Sequence, residues 1–249
     1  MTIQKRYQKH MKNSGSKIIL IIPAYNEQES ISSTLEIVQK SPYDYIIIND
    51  GSTDNTQSII ESLNANCINL CFNLGIGGAV QTGYKYAYEN NYDIAIQFDA
   101  DGQHDINYVK KLVDPIKNND ADLVIGSCFI DKKLKNQRSS KIRRAGISFL
   151  SSFIKLLSGK RIYDPTSGFR AANRKVIKLF AENYPLEYPE PVSNFELLEK
   201  PRIIVKEVPV KMHKRAKGKS SIHSWKSAYA AINVLLSIII LKFRGKTHE

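Results

Sequence analysis

The 249-residue chain carries 36 lysines and arginines against 24 aspartates and glutamates, a formal net charge of +12, and 42% of its residues are apolar. That length fits one large α/β domain or two small ones, with apolar content ample for a core, so the chain is expected to fold alone. Its three cysteines, Cys67, Cys71 and Cys128, include no Cys-x-x-Cys pair, which argues against a disulfide framework or a zinc site and suits a reducing cytoplasm.

The positive charge is clustered. Lys5, Arg6, Lys9, Lys12 and Lys17 precede the first expected strand without an acid among them; residues 132–161 and 211–226 hold two further basic clusters. Such patches attract nucleic acid, an anionic membrane face or phosphate-bearing substrates. With no zinc-finger spacing, aromatic-studded RNA-binding signature or clear helix-turn-helix, no nucleic-acid partner is expected, which leaves membrane and phosphate. No apolar run follows the basic N-terminus, so it does not read as a secretory signal.

In chain order, residues 17–22 (Lys-Ile-Ile-Leu-Ile-Ile) form a continuous apolar run closed by Pro23, the pattern of a parallel strand buried on both faces. Residues 29–40 predict a helix with Ile31, Leu35 and Val38 on one face, ended by Ser41-Pro42. A second strand is expected over 45–48. The turn Asn49-Asp50-Gly51-Ser52-Thr53-Asp54 after it can cap a helix through Leu63. Residues 67–71 read as a third short strand, after which Gly75, Gly77 and Gly78 lead into a helix over 79–90. Those glycines fail the G-x-G-x-x-G spacing and follow the third strand rather than the first, so no nicotinamide cofactor is expected. The repetition of strand, loop and helix implies a right-handed parallel sheet with ligands at the carboxyl ends of its strands.

Residues 94–105 (Ile-Ala-Ile-Gln-Phe-Asp-Ala-Asp-Gly-Gln-His-Asp) are the centre of the chain, an apolar alternating run that ends in carboxylates. Asp99 and Asp101 share a face of extended backbone, and Gly102 allows a turn that brings Gln103 beside them. Two carboxylates and an amide carbonyl suit Mg²⁺ or Mn²⁺ completed by waters and a diphosphate; the same residue types also make an ordinary solvated turn.

A helix over 108–117 and a strand over 123–126 come next, then an amphipathic helix with Ile147, Leu150, Ile154 and Leu157 on one face. That helix either packs on the sheet or, with Arg143 and Arg144 before it, faces a membrane. Residues 164–170 (Asp-Pro-Thr-Ser-Gly-Phe-Arg) read as a compact turn before a helix through Phe180, and residues 202–210 as a late strand. The basic, glycine-containing residues 215–221 suit a flap over a diphosphate or an ordinary surface loop. Residues 227–241 are uncharged between Lys226 and Lys242. At about 1.5 Å per residue they span roughly 22 Å, short of the ~30 Å hydrocarbon core. They are expected to lie in the membrane interface or dock on a membrane partner, the alternative being a buried helix.

Laid end to end, Ile22-Pro23-Ala24-Tyr25-Asn26-Glu27, Asn49-Asp50-Gly51-Ser52-Thr53-Asp54, Asp99-Ala100-Asp101-Gly102-Gln103 and Thr166-Ser167-Gly168-Phe169-Arg170 resemble the motifs of family 2 glycosyltransferases of the GT-A fold. The branch is the one similar to dolichyl-phosphate mannose synthase and its bacterial polyprenyl-phosphate relatives. The resemblance implies a GT-A (Rossmann-like) α/β fold, a mostly parallel sheet flanked by helices. It divides the chain into a basic tail over 1–16, a catalytic domain over 17–221 and a membrane-associating helix and tail over 222–249.

The resemblance also implies roles. Pro23, Tyr25, Glu27, Ile48 and Asp50 would cradle the base and ribose, and Asp99, Ala100 and Asp101 would line the ribose and diphosphate. Asp101 and Gln103 are the direct metal ligands it favours, with Asp99 beside them. Arg215, the family's flap arginine, with Lys219 near it, would neutralise the departing diphosphate. Cys128 stands where the family usually has arginine, and Arg138, Arg143 and Arg144 could substitute.

The implied activity is inverting transfer of a hexose or N-acetylhexosamine, UDP-linked rather than GDP-mannose, to a polyprenyl (undecaprenyl) phosphate at the cytoplasmic face of a bacterial membrane. Arg138, Arg143, Arg144 and Arg170 would meet the acceptor phosphate. A lipid phosphate is already anionic near neutral pH, whereas a sugar hydroxyl acceptor would need a base, for which Glu190 is the candidate. Some relatives without a multi-span domain use a small integral-membrane partner, which the helix over 227–241 could dock. The alternative of another class is a non-catalytic sugar-nucleotide-binding protein at the membrane; the intact Asp99, Asp101, Gln103 and Arg215 argue against it.

Overall fold

The computed structural model describes residues 15–131, 141–213 and 224–245, without the side chains of 141, 142, 224–230 and 245. The strands are β1 (Ile18–Ala24), β2 (Asp44–Asn49), β3 (Cys67–Asn69), β4 (Ile94–Gln97), β5 (Leu123–Ser127), β6 (Arg170–Asn173) and β7 (Val205–Pro209). The helices are α1 (Ile31–Lys40), α2 (Thr56–Ser62), α3 (Gly75–Glu89), α4 (Val109–Lys117), α5 (Lys141–Ser158), α6 (Arg174–Glu182), α7 (Pro189–Glu199) and α8 (Ser224–Gly245).

Among the described residues one seven-stranded sheet has the order β3-β2-β1-β4-β6-β5-β7. β1 pairs in parallel with β2 and β4, as β2 does with β3 and β5 with β7. β6 runs antiparallel between β4 and β5. The sheet is therefore mostly parallel, as expected, with one reversed strand that the sequence pattern did not reveal.

The apolar run of β1 is buried on both faces because each face carries its own core. Ile19 and Ile21 pack with α3, α6, α7 and α8, while Leu20 and Ile22 pack with α1, α2 and α4. None of the four has exposed surface, a burial worth about 1.5 to 3 kcal/mol for each side chain. Parallel strands between two helical layers place every loop that follows β1, β2, β4, β5 and β7 on one edge.

One expectation is corrected here. α3 begins at Gly75 rather than at residue 79, and Gly77 lies inside it because a Cβ there would sit 2.3 Å from the carbonyl oxygens of Pro185 and Leu186. The residues around Glu190 form helix α7, entered through Tyr188 at a left-handed φ of 46° and started by Pro189. Proline suits the first helical position because its missing N–H would have no helical partner there.

α8 presents two faces. Val234 and Ile238 are buried in the core it shares with α7, whereas Ile232, Leu236, Ile240 and Phe243 are exposed. Among the described residues no helix is long and apolar enough to cross a membrane.

Candidate active site

The loops after β1 and β2 are tied to each other side chain to backbone. Asn26, at φ 54°, accepts the Thr53 N–H on Oδ1 at 2.8 Å and donates its own N–H to Ser52 Oγ at 3.0 Å. The Glu27 N–H donates to Thr56 Oγ1 at 2.8 Å and that of Gln28 to Asp54 Oδ2 at 3.2 Å. The two polar motifs thus satisfy each other's backbone and form one ledge, above which Tyr25 is exposed. Asp50 is buried at the back of the ledge, where its Oδ1 accepts the Leu74 N–H at 2.8 Å at the start of α3. Burial raises its pKa, and the N–H groups of Leu74 and Gly75 oppose the rise. Pro23 and Ile48 are buried and face each other in register, so they can shape the ledge but offer a ligand little side-chain surface.

The acidic turn after β4 is clamped from several sides. Thr34 Oγ1 of α1 donates to the Ala100 carbonyl at 2.9 Å, and the Gln103 N–H donates to Asp101 Oδ1 at 3.0 Å. The backbone N–H of Asp99 donates to Nδ1 of His104, whose Nε2 lies 3.5 Å from Asp99 Oδ2. Nδ1 is therefore an acceptor, and Nε2 carries the proton directed at the carboxylate. His104 is buried and stacked on Phe169 at 4.6 Å; burial pushes its pKa down to about 4, so it is neutral at pH 7. The sequence pattern points to its neighbours Asp101 and Gln103 as ligands and carries no signal for His104 itself. The end of β7 joins the turn, since the His213 N–H donates to the Gln103 carbonyl at 2.7 Å and His213 Nε2 lies 3.2 Å from Asp105 Oδ2.

Behind the turn lies a buried arginine. Arg170 opens β6 opposite Gln97, the last residue of β4, and has no exposed surface. Its Nη1 donates to Ser193 Oγ at 2.9 Å and Asn194 Oδ1 at 3.3 Å; its Nη2 donates to Gln97 Oε1 at 3.3 Å and to the Tyr184 hydroxyl. Gln97 Nε2 in turn donates to Asp99 Oδ1 at 3.3 Å and Glu190 Oε1 at 3.2 Å. Arg170 was expected to meet the acceptor phosphate directly. Complete burial and four partners for its two terminal nitrogens correct that expectation. Glu190 does lie beside the acidic turn, and burial raises its pKa against the pull of the Arg170 charge.

The turn over residues 164–168 packs against the acids, and at Gly168 a Cβ would lie 2.8 Å from Gln97 Nε2 and 3.2 Å from Asp99 Oδ2 and displace them. Arg143, exposed on the first turns of α5, is near enough to Asp164 to favour its charge, and Arg144 is half-buried beside it in sequence. The Cys128 thiol donates to the Val210 carbonyl at 3.4 Å. Arg138, Arg215 and Lys219 lie outside the described residues, as does the flap over residues 215–221.

Among the described residues no three His, Cys, Asp or Glu side chains converge as a closed metal cage. The donors that fit an ion are the oxygens of Asp101 and Gln103, with Asp99, whose own oxygens already face donors from Gln97 and His104. An incomplete, all-oxygen set suits Mg²⁺ or Mn²⁺, which keep waters and take phosphate oxygens.

Comparison with known proteins places the chain in a family. Residues 19–180 match the glycosyl transferase family 2 domain. The UDP-N-acetylglucosamine–dolichyl-phosphate N-acetylglucosaminyltransferase of Methanococcus voltae is 35% identical over 215 residues, covering 78% of this chain and 84% of that protein. The undecaprenyl-phosphate mannosyltransferase of Micrococcus luteus is 31% identical, covering 62% of this chain and 65% of that protein. Glucosyl-3-phosphoglycerate synthase from Mycobacterium tuberculosis, solved with Mn²⁺ and UDP-glucose, has the same fold, with a TM-score of 0.65 at 19% identity over 97% of this chain and 83% of that one. With its acids at the carboxyl edge of a GT-A sheet and a match over most of that sheet, the chain is a transferase that belongs to glycosyl transferase family 2.

Proposed function

We infer that this enzyme transfers a hexose or N-acetylhexosamine from a UDP-linked sugar to a polyprenyl phosphate at a membrane surface, with inversion at the anomeric carbon. The observation that carries the reading is the juxtaposition, on one sheet edge, of the Asn26–Thr53 ledge and the Asp99–Asp101 turn. The ledge would hold the nucleoside, and the turn would supply oxygens where a diphosphate follows. Relatives that act on dolichyl and undecaprenyl phosphates support the acceptor class.

Tyr25, which is exposed, would cover the base, and Asp50, whose Oδ1 accepts the Leu74 N–H, would accept a base N–H on its other oxygen. Asp101 and Gln103, with Asp99, would hold Mg²⁺ or Mn²⁺, which when bound neutralises charge on the leaving diphosphate. Arg215 and Lys219 add positive charge to that leaving group, and Arg138, Arg143 and Arg144 orient the acceptor phosphate. The exposed stripe of α8 lies against the bilayer or a small membrane partner.

A second reading has a specific observation in its favour. Glu190 is held beside Asp99 by a shared donor and burial raises its pKa; a hydroxyl acceptor extending a surface polysaccharide would use it as the base. The test is transfer from radiolabelled UDP-hexoses, UDP-N-acetylhexosamines and GDP-mannose to undecaprenyl or dolichyl phosphate with Mn²⁺ or Mg²⁺. Label in the lipid fraction, retained in Glu190→Gln and abolished in Asp101→Ala, is the expected result. Label only in a hydroxyl-bearing glycan, lost in Glu190→Gln, would replace the lipid reading by the second.

A further inference from the structure

The buried arginine does more than fill space. A guanidinium only donates, so the Gln97 atom 3.3 Å from Arg170 Nη2 must be the amide oxygen. That contact fixes which way the amide points. Its NH₂ is left facing the acids, with one proton for each of Asp99 Oδ1 and Glu190 Oε1. Two carboxylates side by side repel, and a neutral amide with both protons turned to them holds them apart at set positions without adding a charge to the site.

The surroundings leave the amide little alternative. Gln97 is 1% exposed, and Arg170 is itself fixed by Ser193, Asn194 and Tyr184. Ser193 Oγ also donates to the Glu190 carbonyl at 3.3 Å, so the arginine grips helix α7 and the amide grips its first turn. Across the turn, His104 Nε2 addresses the second oxygen of Asp99.

We propose that Gln97, oriented by Arg170, is a positioning residue that sets the separation of Asp99 from Glu190 and so aligns the donor-side and acceptor-side carboxylates for transfer. For its kinetic consequence the proposal rests on the second reading above, in which Glu190 acts as the base; its geometry stands without that reading. A merely structural Gln97 would serve only to satisfy Arg170. Gln97→Glu separates the two roles, because a carboxylate satisfies Arg170 at least as well yet offers no donor to Asp99 or Glu190.

The expected result for Gln97→Glu is a folded enzyme of lower thermal midpoint, since a third carboxylate joins the pair, with kcat/KM lowered about 10- to 100-fold, the larger part in kcat. A folded Gln97→Glu enzyme with wild-type kcat overturns the proposal. A second measurement needs neither substrate nor turnover. In protein labelled with ¹⁵N-glutamine, the Gln97 amide protons should resonate downfield and exchange slowly, and one of the pair should move in Glu190→Ala. Amide protons that exchange as fast as those of surface glutamines would also overturn it. If wild type transfers no sugar, the functional reading fails while the amide resonances still decide the geometry.

Discussion

At the scale of the residue, the site is built by burying polar groups and satisfying them. Asp164 shows how far this goes. It is 4% exposed, accepts from Thr166 Oγ1 at 3.2 Å, and lies beside Glu207, whose oxygens take the N–H groups of Tyr163 and Asp164. Burial, with the Glu207 charge adding to it, pushes the Asp164 pKa up to about 6 against the opposing pull of Thr166, the Cys128 N–H and Arg143. The folded pKa is above the unfolded one, so the folded state binds the extra proton. Its contribution is complete below about pH 4 and is lost as pH rises through about 6. Wild type should therefore lose about 2 to 3 kcal/mol relative to Asp164→Asn between pH 4 and 7.5, read as diverging urea midpoints. Parallel midpoints would show that the proton is not taken up there. Residues of this kind are the least legible from sequence. Asp99, Asp101 and Gln103 announced themselves at the end of a strand, but nothing in the spacing tells a buried His104 from a surface one. The Arg170 charge read as a phosphate contact because a sequence does not reveal that Gln97, Ser193 and Asn194 enclose it.

At the scale of the element, legibility follows hydrophobic period. The parallel strands β1 and β2 stood out as apolar runs because both faces are buried, and α1 because one face is. β6 did not, since Arg-Ala-Ala-Asn has neither alternation nor bulk, and its identity comes from pairing with β4 and β5 on either side. α7 did not either. Pro189, Pro191, Val192, Ser193, Asn194, Phe195, Leu197 and Leu198 are buried around its circumference, which erases the one-sided stripe of a surface helix. α8 is the opposite case, and its two faces make separate predictions. Ile238→Ala removes a side chain with no exposed surface and should cost about 2 to 5 kcal/mol of stability without changing vesicle binding. Leu236→Glu combined with Ile240→Glu alters exposed positions and should leave the thermal midpoint unchanged. On the proposed membrane contact, the pair should sharply lower co-sedimentation with phosphatidylglycerol vesicles. Unchanged co-sedimentation would remove the exposed stripe of α8 from the membrane-binding surface.

At the scale of the whole molecule, the sheet order spreads the candidate site over several strands. The ledge belongs to β1 and β2, the acids to β4, and the turn over Gly168 to the entry of β6, while β7 reaches the acids through His213. A nucleoside diphosphate lying from the ledge to the acids would therefore bind only when the β1–β2 loops, β4 and β7 are all in place, and such a ligand binds the native state alone. At a free concentration 100 times its Kd it stabilises by about 2.7 kcal/mol. For a chain of this size each kcal/mol moves the midpoint by about 2 to 4 °C, so UDP with Mn²⁺ should raise Tm by roughly 5 to 10 °C. UDP without the cation should give a smaller rise, because the diphosphate charges would then face Asp99 and Asp101 unscreened. In Asp101→Ala the extra rise due to Mn²⁺ should vanish while the rise due to UDP alone persists, since the ledge proposed to meet the base is untouched. A full Mn²⁺-dependent shift in Asp101→Ala would move the metal off this turn. Loss of both shifts would mean instead that the acidic turn supports the ledge itself, through the contact of Ala100 with Thr34 on α1, the helix that follows the first loop.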